Sequence, residues 1–474
     1  MNILFATSEC TPFAASGGLG DVSGSLPKSL NKKDGVDCRV VMPLYSDIAP
    51  QYRKKMTLEA EFEVPVAWRS QYCGVLSLKL SGVVYYFIDN EYYFKRGGLY
   101  GYFDDAERYT FFSRAILEML RHIDFGPDII HTNDWQTGLV CVLINKFYRD
   151  DPKFYGIKTL FTIHNIQYQG KYGLDTLDDV VGLSPGESPE LEYGGCINFM
   201  KGAVESADKI NTVSPTYAKE ILDPWFSHGL DAILRERQNK LCGILNGIDT
   251  DFYNPETDHN IAANYSLENP ENKALCKKDL IQHFNLSDDN APVIGIVSRL
   301  VAPKGIDLVK HVLEYILLAG IKMVVLGSGD YMYESCFRDF AGRYPESCGV
   351  HIGFMPELAR KVYAGSDMIL MPSKSEPCGL SQMIALRYGT LPVVRVTGGL
   401  KDSITDSGDG KGNGFTFRSY NAHDMLDACL RAKAVYDEPD NWQVLVERAL
   451  GCDFGWQRAA VSYMGLYEEM AGLW

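Results

Sequence analysis

Short apolar runs that end in Gly, Ser, Asn or Asp alternate with longer helix-like stretches along this chain, and the alternation starts a second time near Val293. Residues 2–7, 39–42, 83–88, 128–131, 159–163 and 209–213 read as strands of a first series. Residues 293–297, 323–326, 350–353, 368–371 and 392–396 form the second. Helix patterns lie between them, from about Asp21 and over 112–122, 139–147, 304–318, 380–388 and 422–434. Strand–helix alternation requires parallel strands joined by crossover helices. The expected fold is therefore α/β, with two doubly wound domains, which 474 residues accommodate. The polar, Asn- and Asp-rich stretch 257–290 reads as the boundary region between them. Open parallel sheets bind ligands at the carboxyl ends of their strands, so a cleft between two such domains is where a site is expected.

Charge narrows the ligand. With 46 Lys+Arg against 61 Asp+Glu, the net charge is -15. Nucleic acid and anionic membrane both want a basic face, so neither is expected as a partner. A small anion needs only a few cations placed locally. The twelve cysteines are scattered without a CxxC, which argues against zinc ribbons and thioredoxin-type motifs and for reduced thiols in the cytoplasm. The apolar run at 2–7 has no basic segment before it, unlike a secretion signal. Apolar runs stay far below the roughly 18 residues that span a bilayer. Neither HExxH nor GxxxxGK[ST] occurs.

Chemistry gathers just after the strands. SGGLGDV (16–22) follows the first strand and opens a helix. Its Gly17 and Gly18 let backbone approach a ligand and the helix start favours an anion, although Asp21 also reads as a simple N-cap. In VSRLVAPKGIDL (297–308), Arg299 and Lys304 follow a strand and suit a diphosphate, Arg as a fork and Lys as a point charge. Two solvated surface cations are the plain alternative. In SKSEPCGLSQM (373–383), Glu376 and the backbone amides of Cys378, Gly379 and Leu380 can hold sugar hydroxyls and a leaving phosphate. Glu376 as a helix-start charge and Cys378 as a small apolar residue are the alternatives. HTNDWQ (131–136) offers Asp134 to a hydroxyl nucleophile and Trp135 to a sugar face, or else an N-cap and a core ring. FTIHN (161–165) places His164 at another strand end, and VTGGLKD (396–402) adds another glycine turn. Asp249-Thr250-Asp251 matches a metal-holding Asp-x-Asp pattern but sits in a turn-rich link. Gly327-Ser328-Gly329 has Met332 where a dinucleotide fingerprint needs its third glycine.

MNILFATSEC…GGLGDV, DWQTGL, TIHN, KINTVSPTYAKEI, LNGID, SRLVAPKGIDL, SKSEPCGLSQMIALRYG and RVTGGLKD together resemble bacterial glycogen synthases and plant starch synthases, in family order over nearly the whole chain. The resemblance implies the GT-B architecture of two Rossmann-like domains: an N-terminal domain over 1–255 completed by a C-terminal helix at 455–474, and a nucleotide-sugar domain over 256–454. It implies retaining transfer of glucose from ADP-glucose to the non-reducing 4-hydroxyl of an α-1,4-glucan or maltooligosaccharide, without a metal or other cofactor. By motif, Arg299 and Lys304 bind the diphosphate. Glu376 and the 378–380 amides hold the donor glucose, which His164 contacts from the other domain. Asp134 and Trp135 lie near the reacting sugar or acceptor. Gly17, Gly18 and Asp21 line the donor pocket, Asn246 contacts glucose, and Phe354 falls near adenine.

One position departs from the pattern. The family usually reads Lys-x-Gly-Gly-Leu, whereas this chain has Ala15 in place of that Lys. Losing one charge-assisted contact costs on the order of 1.5–3 kcal/mol unless another cation compensates, with Lys28, Lys95 and Arg96 as candidates. Rival readings are a UDP-glucose-using transferase, a non-catalytic glucan-binding relative and an NAD-dependent dehydrogenase.

Overall fold

The computed structural model describes residues 1–409 and 411–473. The chain forms two compact units. One is Met1–Gly247 joined by the helix Trp456–Ala471, and the other is Ile248–Gly455.

In the first unit the strands are β1 (Asn2–Ala6), β2 (Asp37–Pro43), β3 (Thr57–Val66), β4 (Arg69–Leu80), β5 (Val83–Asp89), β6 (Ile129–Asn133), β7 (Lys158–Ile163), β8 (Lys171–Tyr172), β9 (Glu192–Tyr193), β10 (Cys196–Asn198), β11 (Lys209–Thr212) and β12 (Leu241–Gly243). Nine of them form one sheet, ordered β12-β11-β7-β6-β1-β2-β5-β4-β3. It is parallel from β12 to β5, and its central strands are almost wholly buried, as in β1 and β6. Such strands read as continuous apolar runs because helices cover both faces. The expectation of parallel sheets needs one correction. β4 and β3 extend this sheet antiparallel, through a hairpin turned at Ala67 (φ 50°). β3 alternates exposed and buried residues, the period of a half-buried edge strand. A small antiparallel sheet, β8-β10-β9, adds structure where no strand was expected.

The second unit has β13 (Val293–Val297), β14 (Lys322–Gly327), β15 (Cys348–Ile352), β16 (Met368–Met371), β17 (Leu391–Arg395) and β18 (Phe415–Phe417). All are parallel, in the order β15-β14-β13-β16-β17-β18. That is the 3-2-1-4-5-6 order of a Rossmann sheet, whose ligands bind where the order reverses, here between β13 and β16.

The division falls after Gly247, ahead of the expected residue 255, and 257–290 lies within the second unit. Buried Asp258 accepts hydrogen bonds from Arg360 (3.0 Å) and Tyr388 (2.5 Å), which ties this stretch to the second unit. The helix Lys273–His283 buries Lys273, whose ammonium donates to Ala364 O, Ser366 O and Thr390 Oγ1. Polar residues here satisfy each other inside the fold, so polarity alone did not mark a boundary.

The last helix packs on the helix Gly18–Leu30 and closes the first unit through buried polar contacts. His131 Nδ1 lies 2.7 Å from Tyr467 Oη, and Asn211 Nδ2 donates to Tyr463 Oη at 2.9 Å. The expected range 455–474 includes Trp474, which lies outside the described residues. No helix among the described residues is long and apolar enough to cross a membrane.

Candidate active site

In the second unit the loops after β13 and β16 enclose a cavity of about 200 Å³. Arg299, Lys304, Ser373, Glu376, Gly379 and Leu380 line it. Arg299 is exposed, and its guanidinium has no hydrogen-bond or ion-pair partner among the described residues. The dismissed Gly327-Ser328-Gly329 holds this loop: Leu300 N–H donates to Ser328 O and Asp330 N–H to Leu300 O, each at 2.9 Å. Lys304 ends the short turn Ala302–Lys304, and Lys374 N–H donates to Pro303 O at 2.9 Å, joining the two loops. Gly305 follows at φ 74°, and a Cβ there would stand 2.1 Å from Pro372 O, so only glycine lets the turn lie against the β16 loop.

Lys304 Nζ donates to both oxygens of Glu376, at 2.9 and 2.7 Å, and Ser373 Oγ donates to Oε2 at 2.8 Å. Separate tasks were expected of Lys304 and Glu376, whereas the structure pairs them. Glu376 is buried, and burying a carboxylate is costly unless it is paired and hydrogen-bonded in this way. Gly379 (φ 73°) turns the chain so that its N–H and that of Leu380 face no protein acceptor among the described residues. Cys378 is buried beside them. Phe354 is 77% exposed after β15, and Tyr331 is 78% exposed after the neighbouring β14.

In the first unit the corresponding reversal lies between β1 and β6. Glu9, just past β1, organises the glycine loop. Its carboxylate accepts from Ser16 Oγ (2.8 Å), the N–H groups of Ser16 (2.5 Å) and Gly17 (3.1 Å), and Tyr100 Oη (2.7 Å). Gly17 and Gly18 are exposed, with open space where a Cβ would sit, and the helix they open has no side-chain cap. Asp21 is exposed in its first turn.

Asp134 follows β6 with φ 56° and ψ 178°, a conformation costing about 1–3 kcal/mol for a non-glycine residue. It occupies an N-cap position without capping. Instead its Oδ1 accepts from His164 N–H (2.8 Å) and Asn165 N–H (3.4 Å). Burial raises its pKa to about 7, against the pull of those two N–H groups. Burial also lowers that of His164 to about 3, and its Nε2 lies 2.8 Å from Asn133 Oδ1. Asn246, after β12, is buried, and its Oδ1 has no partner among the described residues. Trp135, beside Asp134, is 8% exposed and packs among Tyr109, Tyr172 and Phe199, as the core-ring reading of its motif expects.

Each set of strand-end residues converges within its own unit, and comparison with known proteins gives the family. The family described as "Starch synthase catalytic domain" matches residues 2–236, and "Glycosyl transferases group 1" matches 277–443. Glycogen synthase from Geobacillus thermodenitrificans is 50% identical over 99% of this chain and 98% of its own length. That from Bacillus anthracis is 48% identical over 99% of this chain and 100% of its own. The chain belongs to the glycogen and starch synthase family. It is a glycosyltransferase of the GT-B fold. The solved catalytic domain of starch synthase IV from Arabidopsis thaliana, bound to ADP and acarbose, superposes with a TM-score of 0.90 at 32% identity, covering 99% of both chains.

Reading the sequence of this synthase missed Glu9, Tyr100, Asn133 and Ser373. Glu9 and Asn133 did leave a signal, since each is a polar residue at or shortly after the end of a buried strand. Tyr100 reaches Glu9 across 91 residues, and no local pattern announces that.

Proposed function

We propose that this chain transfers glucose from ADP-glucose, with retention, to the non-reducing 4-hydroxyl of an α-1,4-glucan. The observation that carries the reading is the cavity between β13 and β16, where Arg299, the Lys304–Glu376 pair and two amides meet, Arg299 and the amides unpaired among the described residues. Cations and amides suit a diphosphate, and a buried carboxylate suits sugar hydroxyls. The ADP and acarbose of the starch synthase IV structure are ligands of those classes.

In this reading the bond from glucose C1 to the phosphate oxygen breaks and the acceptor O4 bonds to C1. The 4-hydroxyl proton passes to the departing phosphate. Negative charge grows on that phosphate, and Arg299 and Lys304 stabilise it, each such group typically contributing about 3 kcal/mol. Attack from the face of departure retains configuration without a protein nucleophile. Glu376 and the Gly379 and Leu380 amides orient the glucose. His164, Asn246 and Asp134 serve the reacting sugar, with Gly17, Gly18 and Asp21 beside the donor. Phe354 and Tyr331 offer aromatic faces to the base. The reaction uses no metal in this reading. Asp249, of the Asp-x-Asp pattern, spends its Oδ1 on the N–H groups of Asp251 (3.1 Å) and Phe252 (2.9 Å) as a turn. We place the activity in the cytoplasm, in keeping with twelve free cysteines.

The test is extension of a labelled maltooligosaccharide, read by mass, with ADP-glucose and UDP-glucose in parallel and with chelator present. Growth by hexose units with ADP-glucose and chelator supports the reading. Growth with UDP-glucose alone changes the donor, and metal-reversible inhibition by chelator removes the metal-free claim.

A further inference from the structure

His164 is the one site residue whose protonation can be read atom by atom. Asn133, at the end of β6, is fully buried. Its Nδ2 donates to Ala6 O at 3.0 Å and to His131 O at 3.3 Å. Both are carbonyl oxygens, which only accept, so the amide NH2 must face them and Oδ1 must face the other way. Oδ1 lies 2.8 Å from His164 Nε2. An amide oxygen only accepts, so Nε2 carries a hydrogen.

The other ring nitrogen follows from charge. His164 is held neutral, so Nδ1 has a lone pair and no hydrogen. Nδ1 has no hydrogen-bond partner among the described residues, and the side chain is only half-buried. The backbone of the same residue is fixed by Asp134, whose Oδ1 accepts its N–H at 2.8 Å. Ring and backbone are both pinned, and the one loose end is an acceptor.

We propose that Asn133 is a positioning residue that locks His164 as the Nε2–H tautomer, so that Nδ1 accepts a hydrogen bond from a hydroxyl of the bound sugar. This rests on the glucosyl-transfer reading for the identity of the sugar; the tautomer itself does not. The step involves no net proton transfer, because His164 keeps its Nε2 hydrogen throughout.

The test separates the two layers. Histidine-selective 15N labelling of the substrate-free wild-type protein reads the tautomer directly, with His164 assigned by the signals lost in His164→Gln. A neutral Nε2–H ring through pH 5 to 8 is expected. A neutral Nδ1–H ring, or a charged one at pH 6, overturns the proposal whatever the enzyme's donor proves to be. Kinetics then reads the role with whichever nucleotide sugar the wild-type enzyme uses. Asn133→Ala should show mixed tautomers and lose about tenfold in kcat/KM for the donor, the scale of one oriented hydrogen bond. Asn133→Asp puts a carboxylate against Nε2, which favours the imidazolium and adds a hydrogen to Nδ1. Its pH–rate profile should therefore gain an acidic limb from His164, added to any that Asp134, raised to about 7, gives the wild type. Folded Asn133→Ala with unchanged tautomer and kinetics, or Asn133→Asp with the wild-type pH profile, overturns the role. If neither variant folds, the wild-type spectrum still decides the tautomer, and donor titration decides the contact. His164 nitrogen shifts that ignore saturating donor overturn it.

Discussion

The two units place their site residues at the same point of the same topology, yet they handle charge in opposite ways. In the second unit the residues after β13 and β16 are ionic: an unpaired Arg299 and a Lys304–Glu376 pair with two contacts below 3 Å. In the first unit the residues after β6 and β7 are driven toward neutrality, Asp134 raised to about 7 and His164 lowered to about 3. Both differences follow from partners. Glu376 has a cation and a hydroxyl, whereas Asp134 has two backbone N–H groups and no cation to offset burial. A diphosphate asks for fixed positive charge. A sugar hydroxyl asks for directed, neutral or weakly ionised partners. The comparison teaches that one fold supplies each by choosing what stands opposite the buried group.

The largest effects should come from the ionic side. Glu376→Ala and Lys304→Ala should each lower turnover by about two to three orders of magnitude if these groups act on the transition state. Near-normal rates in both would remove the second unit from the chemistry. Stability separates them further. Lys304→Ala strands a buried carboxylate and should lower the melting temperature, whereas the double change Lys304→Met with Glu376→Met should restore stability without activity, because an apolar pair replaces a buried ion pair at little cost. A double variant as unstable as the single one would show that the pair holds the loops as well as charging them.

The neutral side is broken by pH. Asp134 has a higher pKa in the folded chain, about 7, than its ordinary 3.8. The folded state therefore binds the proton better, and the stability this brings is complete below about pH 4 and lost as pH rises to about 7. Asp134→Asn cannot ionise, and its amide oxygen can still accept from His164 N–H. It should be more stable than wild type at pH 8 by on the order of 2 kcal/mol, with most of that gain gone at pH 4. Melting curves at the two pH values check it. A gain independent of pH would mean Asp134 ionises freely and the contrast between the units is not electrostatic.

These contrasts were only partly legible in the sequence. Strands of β1, β6, β13 and β16 type announce themselves as apolar runs, and Arg299, Lys304, Glu376, Asp134 and His164 stand at their ends in short motifs. Pairings were not legible. Lys304 meets Glu376 across 72 residues, and Asn133 meets His164 across 31, so the spacing carries no local period. Nor was the fate of Trp135, because a ring beside a polar motif reads the same whether the neighbouring strands leave it open or bury it. The β3–β4 hairpin was missed for another reason: its alternating pattern is that of an edge, not of the continuous apolar runs of buried strands.

A smaller effect should stay within the first unit. His131 is fully buried, its Nδ1 against Tyr467 Oη and its Nε2 2.7 Å from Thr162 Oγ1, so Tyr467→Phe leaves one ring nitrogen unsatisfied. Such a loss costs about 1–3 kcal/mol. Hydrogen exchange should show faster opening in β6, β7 and β11, with the strands β13 to β18 unchanged. Equal acceleration in both would show that the last helix stabilises the chain as a whole.

The smallest expected change tests whether the first unit needs charge at all. Ala15 is exposed beside the Glu9-organised glycine loop, where the resemblance leads one to expect a lysine. None of the three candidate cations stands in for it. Lys95 is paired with Glu91 at 3.1 Å, and Arg96 with Asp104 at 2.8 Å. Lys28 lies in the last turn of the helix that Gly18 opens, roughly 15 Å along its axis. Ala15→Lys should therefore lower the donor KM by about tenfold, the scale of one charge-assisted hydrogen bond, and the improvement should shrink with salt. Ala15→Gln, matched in length without charge, should leave KM near wild type. If Lys and Gln behave alike, phosphate recognition belongs to Arg299 and Lys304 alone. The first unit of this chain then works without any cation, and the division between an ionic and a neutral side is complete.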